Sequence, residues 1–257
     1  PPTFVELRIR EGTLTTEGGE AHLEVVVNDP DWNMQSVDVD LSIIGMGIVS
    51  FSDVGINGDE TVHDDIWTAK VTHPGINHGI QNVNVSISDG WSNTEVSTEL
   101  IITNLAPRMT ALELNPTTVS RGDTVDVSAT VYDAHGVSTV VVDLTGLGGE
   151  RYPLTQGNGE NWAGAIIVPD GFSPGPQLLT VEMTDNDGSM RLTSLIWRTD
   201  GTTVESNRLT ILNDGPSLSN LTLYRDGNTV SKLLVPELGQ NEIAHVITIN
   251  AYDPDGI

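Results

Sequence analysis

Three stretches of the chain, PPTFVELRI from residue 1, APRMTALEL from residue 106 and GPSLSNLTL from residue 215, follow one pattern. A proline (Pro2, Pro107, Pro216) is followed two places on by an apolar residue (Phe4, Met109, Leu218). Five places on comes a leucine (Leu7, Leu112, Leu221), and seven places on another apolar residue (Ile9, Leu114, Leu223). The prolines stand 105 and 109 residues apart, an interval close to the length of one β-sandwich domain. A chain that repeats at this interval reads as a row of small domains, each burying its own core.

The apolar positions say what is repeated. Leu23, Val25 and Val27 alternate ahead of Asn28 and Asp29, as Val127, Ala129 and Val131 do ahead of Tyr132 and Asp133, and as Ile247, Ile249 and Ala251 do ahead of Tyr252 and Asp253. A next strand matches Val37, Val39 and Leu41 with Val140, Val142 and Leu144, while Asp38, Asp40 and Asp143 face the other way. Trp67 in DDIWTAKV matches Trp162 in GENWAGAI. Val83, Val85 and Ile87 before SDG match Leu179, Val181 and Met183 before TDNDG, and TELIITN and NRLTILN close the two units. A period of two is that of a strand with one buried face, and no window sustains the helical period. The chain is therefore expected to be all-β, with domains at 1–105 and 106–214 and the first two strands of a third repeat at 215–257.

The second domain carries extra length. Gly188 and Asn213 are 25 residues apart where Gly90 and Asn104 are 14 apart, and TDG flanked by alternation predicts an added hairpin near 191–205. The third piece has an apolar face with nothing of its own to cover it. It is expected to be poorly ordered or to borrow partners from the second domain or from another molecule, a route to self-association.

Charge narrows the partners. The chain has 36 acidic against 11 basic residues, a net charge of −25, with lysine only at Lys70 and Lys232. Nucleic acid is not an expected partner, because binding it takes a basic surface that displaces counterions. Self-repulsion of this size is relieved by salt or bound cations. Cysteine is absent, which removes disulfides and thiolate metal sites. No apolar run is long enough to span a bilayer, and no basic-then-apolar leader opens the sequence. Neither a GxSxG elbow, a phosphate-cradling glycine loop, an HExxH helix nor a cysteine nucleophile occurs. Asp38 and Asp40 alternate with core valines and need no catalytic role. The expected protein is not an enzyme.

Four features together carry a resemblance: the proline opening after TNLA and LNDG, the DPDG-type turn after the second strand, the tryptophan that opens a later strand, and TDNDG before the last. With them the chain resembles the tandem immunoglobulin-like repeats of prokaryotic, including archaeal, surface proteins, a group that shades into the polycystic-kidney-disease-type and cadherin-like sandwiches. The WDFGDG signature of the polycystic-kidney-disease type is absent, so that subfamily is not assigned. The resemblance identifies a fold and not an activity. It implies tandem immunoglobulin-like β-sandwiches in an elongated array, the last one truncated, serving as a stalk, spacer or adhesive region that is extracellular or at the cell surface. Its partners would be neighbouring repeats of the same protein and a cell-surface glycan or protein.

In such a sandwich the turn after the second strand and the turn before the last lie at one end, the end at which the chain enters. Asp29 and Asp31 are then expected beside Asp89. Asp133 is expected beside Asp185 and Asp187, near the linker residues Asn104 and Leu105, and Asp253 and Asp255 near Asn213 and Asp214. Ca²⁺ takes about six to eight oxygen ligands, which converging acidic turns supply, and an ion there would stiffen the joint. Turn chemistry explains the same residues without an ion, since Asp bonds its own backbone and Gly accepts positive φ. In YDAHG the histidine His135 stands where a second carboxylate would help.

Other candidates weigh less. His63, His73 and His78, with Asp64 or Asp65, fit no zinc-site spacing, and surface histidines are the favoured reading. Trp67 and Trp162 occupy equivalent repeat positions and are expected in the cores. Trp32 and Trp91 each follow an acidic turn of the first domain and are expected at its tip, where they would bind glycan, the carbohydrate-binding alternative, or pack on another domain, the favoured reading. Asn84 in NVS and Asn220 in NLT match the glycosylation sequon, with Asn84 expected on an exposed strand face.

Overall fold

The computed structural model describes residues 1–75, 77–213, 215–231 and 246–253. The first sandwich has seven strands: β1 (Thr3–Gly12), β2 (Gly19–Asn28), β3 (Ser36–Asp40), β4 (Ile48–Ser50), β5 (Ile66–His73), β6 (Gly79–Ser88) and β7 (Asn93–Ile102). They form two antiparallel sheets, one in the order β1-β2-β5 and one in the order β4-β3-β6-β7. This distribution is that of an immunoglobulin-like Greek key. Period two decides which side chains meet. Leu23, Val25 and Val27 from one sheet and Val37, Val39, Val83, Val85 and Ile87 from the other are all buried in one core. Val25 pairs with Leu7 on one side and Trp67 on the other, and Val39 with Val49 and Val85. Burying each such side chain is worth about 1.5 to 3 kcal/mol.

The second sandwich runs through β8 (Arg108–Asn115), β9 (Thr118–Val119), β10 (Thr124–Tyr132), β11 (Val137–Asp143), β12 (Arg151–Pro153), β13 (Thr155–Gln156), β14 (Asn161–Ile167), β15 (Gly175–Leu178), β16 (Thr180–Asp185), β17 (Met190–Thr193), β18 (Leu195–Trp197), β19 (Thr203–Glu205) and β20 (Arg208–Ile211). Its main sheets are β13-β14-β10-β8 and β12-β11-β16-β17, with β15-β20-β9 beside them. Strands β18 and β19 pair as a hairpin around Asp200 and Gly201. Trp162 is buried and lies opposite Ala129, whose small side chain leaves room for the indole.

Both sandwiches place the same device after their third long strand. A single 3₁₀ turn, Ser42–Ile44 in one and Thr145–Leu147 in the other, ends on a left-handed glycine, Gly45 and Gly148. The aspartate that closes the preceding strand starts it: Asp40 Oδ1 accepts the Ser42 N–H at 2.9 Å, and Asp143 Oδ1 accepts the Thr145 N–H at 2.9 Å. Asp40 and Asp143 thus face away from the core as expected, but they serve as turn caps, and these bonds hold both carboxyls below their ordinary range, hydrogen bonds from Ser42 and Thr145 leading.

Strands β21 (Ser217–Arg225), β22 (Asn228–Val230) and β23 (Val246–Tyr252) make a separate sheet in the order β22-β21-β23. The short β22 goes beyond the two strands that alternation predicts. It follows a tight turn in which Asp226 and Gly227 both take positive φ, the geometry of a two-residue hairpin. Leu218, Leu221, Ile247 and Tyr252 of this sheet are exposed.

The chain divides into two compact units, one of Pro1–Met109, Val131–Val140 and Glu182–Leu192, the other of Thr110–Thr130, Val141–Val181 and Thr193–Ile257. The first unit therefore holds the first sandwich together with the β10–β11 and β16–β17 turns.

Candidate functional site

At one end of the first sandwich, β2 and β6 stop on buried aspartates. Asp29 accepts the N–H groups of Asp31 on Oδ1 at 3.3 Å and of Asn33 on Oδ2 at 3.0 Å. Asp89 Oδ1 accepts the N–H groups of Trp91 at 2.7 Å and Ser92 at 2.6 Å, while Oδ2 accepts the Ser92 hydroxyl at 2.9 Å. These bonds, Ser92's first, hold the Asp89 carboxyl below its ordinary range. Both side chains therefore shape their own turns, and Asp31 stays exposed. The turns project Trp32 and Trp91, 75% and 91% exposed. Trp32, at φ 55°, lines an open cleft of about 500 Å³ with Met34, Asp53, His63 and Trp67. Trp67 is only half-buried at the edge of the core, whereas Trp162 is fully within its own.

The first unit's other acidic turns come together around Asn104. Asp185, 1% exposed, accepts the N–H groups of Asp187 and Ser189 on Oδ1, each at 2.8 Å, and the Asn104 amide on Oδ2 at 2.8 Å. Asn104 also donates to Ser189 Oγ at 2.8 Å. Asp133 Oδ1 accepts the His135 N–H at 2.8 Å. Burial, with the nearby Asp185 charge adding to it, keeps the Asp133 carboxyl above its ordinary range. Asp187 turns instead to two imidazoles: its Oδ2 lies 3.2 Å from His135 Nδ1 and its Oδ1 3.7 Å from His78 Nε2.

His78 reaches this place through strand register. Gly79, its neighbour, pairs with Ile102 at the end of β7, two residues before Asn104. Sequence grouped His78 with His63 and His73, but the three do not form a cluster. His63 is exposed on the cleft and His73 is 2% exposed, its Nδ1 3.1 Å from the Thr15 carbonyl oxygen. The surface reading of His73 is corrected accordingly: it closes β5 under the β1–β2 loop. In the third segment Asp253 follows β23, while Asp214 and Asp255 lie outside the described residues.

No family model and no curated protein matches this chain. Among solved structures it is similar to an ectodomain fragment of ICAM-5, at 13% identity over 98% of this chain and 75% of that one, with a TM-score of 0.40. It is also similar to an I-band fragment of titin, at 10% identity over 99% of this chain and 88% of that one, with a TM-score of 0.32. A third is the titin Z1Z2 pair in complex with telethonin, at 15% identity over 82% of this chain and 97% of that one, with a TM-score of 0.30. The immunoglobulin-like assignment rests on the strand orders, not on these likenesses.

A further acidic group lies in the loop between β4 and β5, where carboxylate oxygens of Asp53, Asp59 and Asp64 stand within 4.8 Å of one another. Sequence did not single out this group: Asp53 and Asp59 stand in none of the repeated stretches, and Asp64 was weighed only beside the histidines. Burial first, and then the charges of Asp64 and Asp59, push the Asp53 carboxyl above its ordinary range, against N–H bonds from Asp64 and His63. A raised carboxyl favours the fold below the ordinary carboxylate range, and that contribution is lost as pH rises through the folded value. Asp53→Asn is accordingly expected to raise the melting temperature at pH 7 in chelator, with the gain vanishing on acidification below about pH 4. Melts across that range check it, and a variant less stable at pH 7 would show that the ionised carboxylate is needed.

Proposed function

We propose that the chain is a non-catalytic structural or adhesive repeat region of a cell-surface or secreted protein, in which successive sandwiches are fastened by side chains of the connecting segment. One observation supports this most. The segment that leaves β7 is tied on both flanks: Asn104 donates to the buried Asp185 and to Ser189, Leu105 donates its N–H to Thr16 Oγ1 at 3.2 Å, and Arg108 pairs with Glu17 while its guanidinium lies over the Tyr132 ring. A freely jointed linker has no need of a buried carboxylate. The net charge of −25 suits an exposed, salt-bathed surface, and among the described residues no helix is long and apolar enough to cross a membrane.

Asn104→Ala would leave Asp185 Oδ2 buried without its donor, which costs about 1 to 3 kcal/mol. Limited proteolysis is expected to spare residues 103–108 in the unaltered chain and to cut them in the variant. Equal, rapid cutting of both would make the linker a loose tether and sink the spacer reading. A carbohydrate-binding module is the second reading, favoured by Trp32 on its cleft. The two exposed tip tryptophans do not meet there, since Trp91 does not line that cleft among the described residues, and its second aromatic, Trp67, is half-buried against the core, so the spacer comes first.

A further inference from the structure

The structure assigns a metal site to His78, His135 and Asp187, for a divalent ion of the zinc class and not for calcium. The inference goes beyond the spacer reading and stands without it. One ligand atom from each of the three residues lies within 4.8 Å of the other two. Zinc binds imidazole nitrogen and carboxylate oxygen at about 2.0 to 2.2 Å, so neighbouring ligand atoms of one tetrahedral ion stand roughly 3.3 Å apart. The contact between Asp187 Oδ2 and His135 Nδ1, at 3.2 Å, already has this spacing, while His78 Nε2 lies 3.7 Å from the carboxylate's other oxygen, Oδ1, so the carboxylate must turn to offer one oxygen to an ion held by both imidazoles. The two rings have centroids 4.8 Å apart and planes tilted by 57°, so they do not stack flush and both offer a nitrogen toward the carboxylate.

Each ligand's backbone is anchored before any ion arrives. The His135 N–H is bound by Asp133 and its carbonyl accepts the Asn186 amide at 2.7 Å. The Asp187 N–H is bound by Asp185, and the His78 carbonyl accepts the Gln81 amide at 2.7 Å. Anchoring of this kind lowers the ordering entropy that binding must overcome. Side-chain exposures of 34% for His78, 19% for His135 and 29% for Asp187 leave a way in from solvent, and a water would complete the fourth position. Two imidazoles and one carboxylate are a borderline donor set that suits zinc, copper or nickel, whereas calcium requires a shell of oxygens. The Asp185 carboxylate is already occupied by two N–H groups and an amide, which leaves the histidines as the partners of Asp187. The chain's acidity draws cations toward this surface.

The test is titration of the chelator-stripped full chain with Zn²⁺, followed by calorimetry and by the imidazole resonances of all histidines. One equivalent is expected to bind, to move the His78 and His135 resonances together, and to raise the melting temperature, while Ca²⁺ at matched ionic strength does none of these. His78→Ala, His135→Ala and Asp187→Ala are each expected to weaken binding by at least the roughly 10- to 100-fold that even loss of an outer-shell partner costs, and His63→Ala to leave it unchanged. Resonances of His78 and His135 that stay still while Zn²⁺ binds, affinity unmoved by the three substitutions, or an equal response to Ca²⁺ would each overturn the assignment. The resonance shifts in the unaltered chain decide the matter even where a variant folds poorly.

Discussion

Trp162→Ala is expected to destabilise the second sandwich by about 3 to 5 kcal/mol, a large part of the roughly 5 to 15 kcal/mol that holds a domain of this size. The indole is 5% exposed. It sits in the middle of its sheet, with Ala129 on one neighbouring strand and the exposed Gln156 on the other; Ala129 is too short to fill the space it leaves, and Gln156 would have to bury its amide to do so. Calorimetry should show one early transition for the altered sandwich and an unshifted one for the first. Trp67→Ala, at the equivalent position of the first sandwich, should cost less, because Trp67 is only partly buried against its core and opens onto the Trp32 cleft. Equal losses from the two substitutions would show that burial is not what distinguishes them.

Gly12→Ala is expected to be the most damaging exchange of a single hydrogen for a methyl. Gly12 sits at φ +83° at the end of β1, opposite Ala21 and just past the register break between Ile9 and Glu11, and a Cβ there would lie 2.1 Å from the Glu20 carbonyl oxygen and 2.8 Å from the Ala21 Cα. Those are backbone atoms and cannot rotate aside. The left-handed backbone alone strains an alanine by about 1 to 3 kcal/mol, and the two strands must also part. Gly47→Ala provides the control, since Gly47 has φ +72° but nothing within 4 Å of its Cβ position. Urea denaturation should show Gly12→Ala losing clearly more stability than Gly47→Ala. Similar losses would mean that conformational strain, and not close approach, accounts for both.

Period two made most of the fold legible. Val25, Val39, Val85, Val127 and Val142 are buried where alternation places them, whereas alternation does not say which strands are neighbours, so the sheet orders were not legible from it. The turns were less legible, because an aspartate that bonds its own backbone and one that faces an ion have the same one-letter spelling. Asp29, Asp89 and Asp185 accept N–H groups of their own turns, and Asp185 accepts the Asn104 amide as well, none of which a spacing rule distinguishes from a ligand set. Asp40 and Asp143 look from alternation like idle surface charges and are turn caps. The meeting of His78 with His135 and Asp187 was out of reach of local patterns altogether. It depends on which residue of β7 stands opposite Gly79, and on three segments far apart in the chain.

That pairing has a further consequence. From Gly79 opposite Ile102 to Ser88 opposite Asn93, β6 and β7 run as an unbroken ladder of ten pairs. Ten residues of strand measure roughly 30 Å, and a slip by even one pair would turn Val83, Val85 and Ile87 out of the core. The ladder is thus a ruler of fixed length. It keeps the Trp91 turn and the imidazole of His78 at opposite ends of one rigid rod, so that whatever docks at either end is presented at a constant distance from the other.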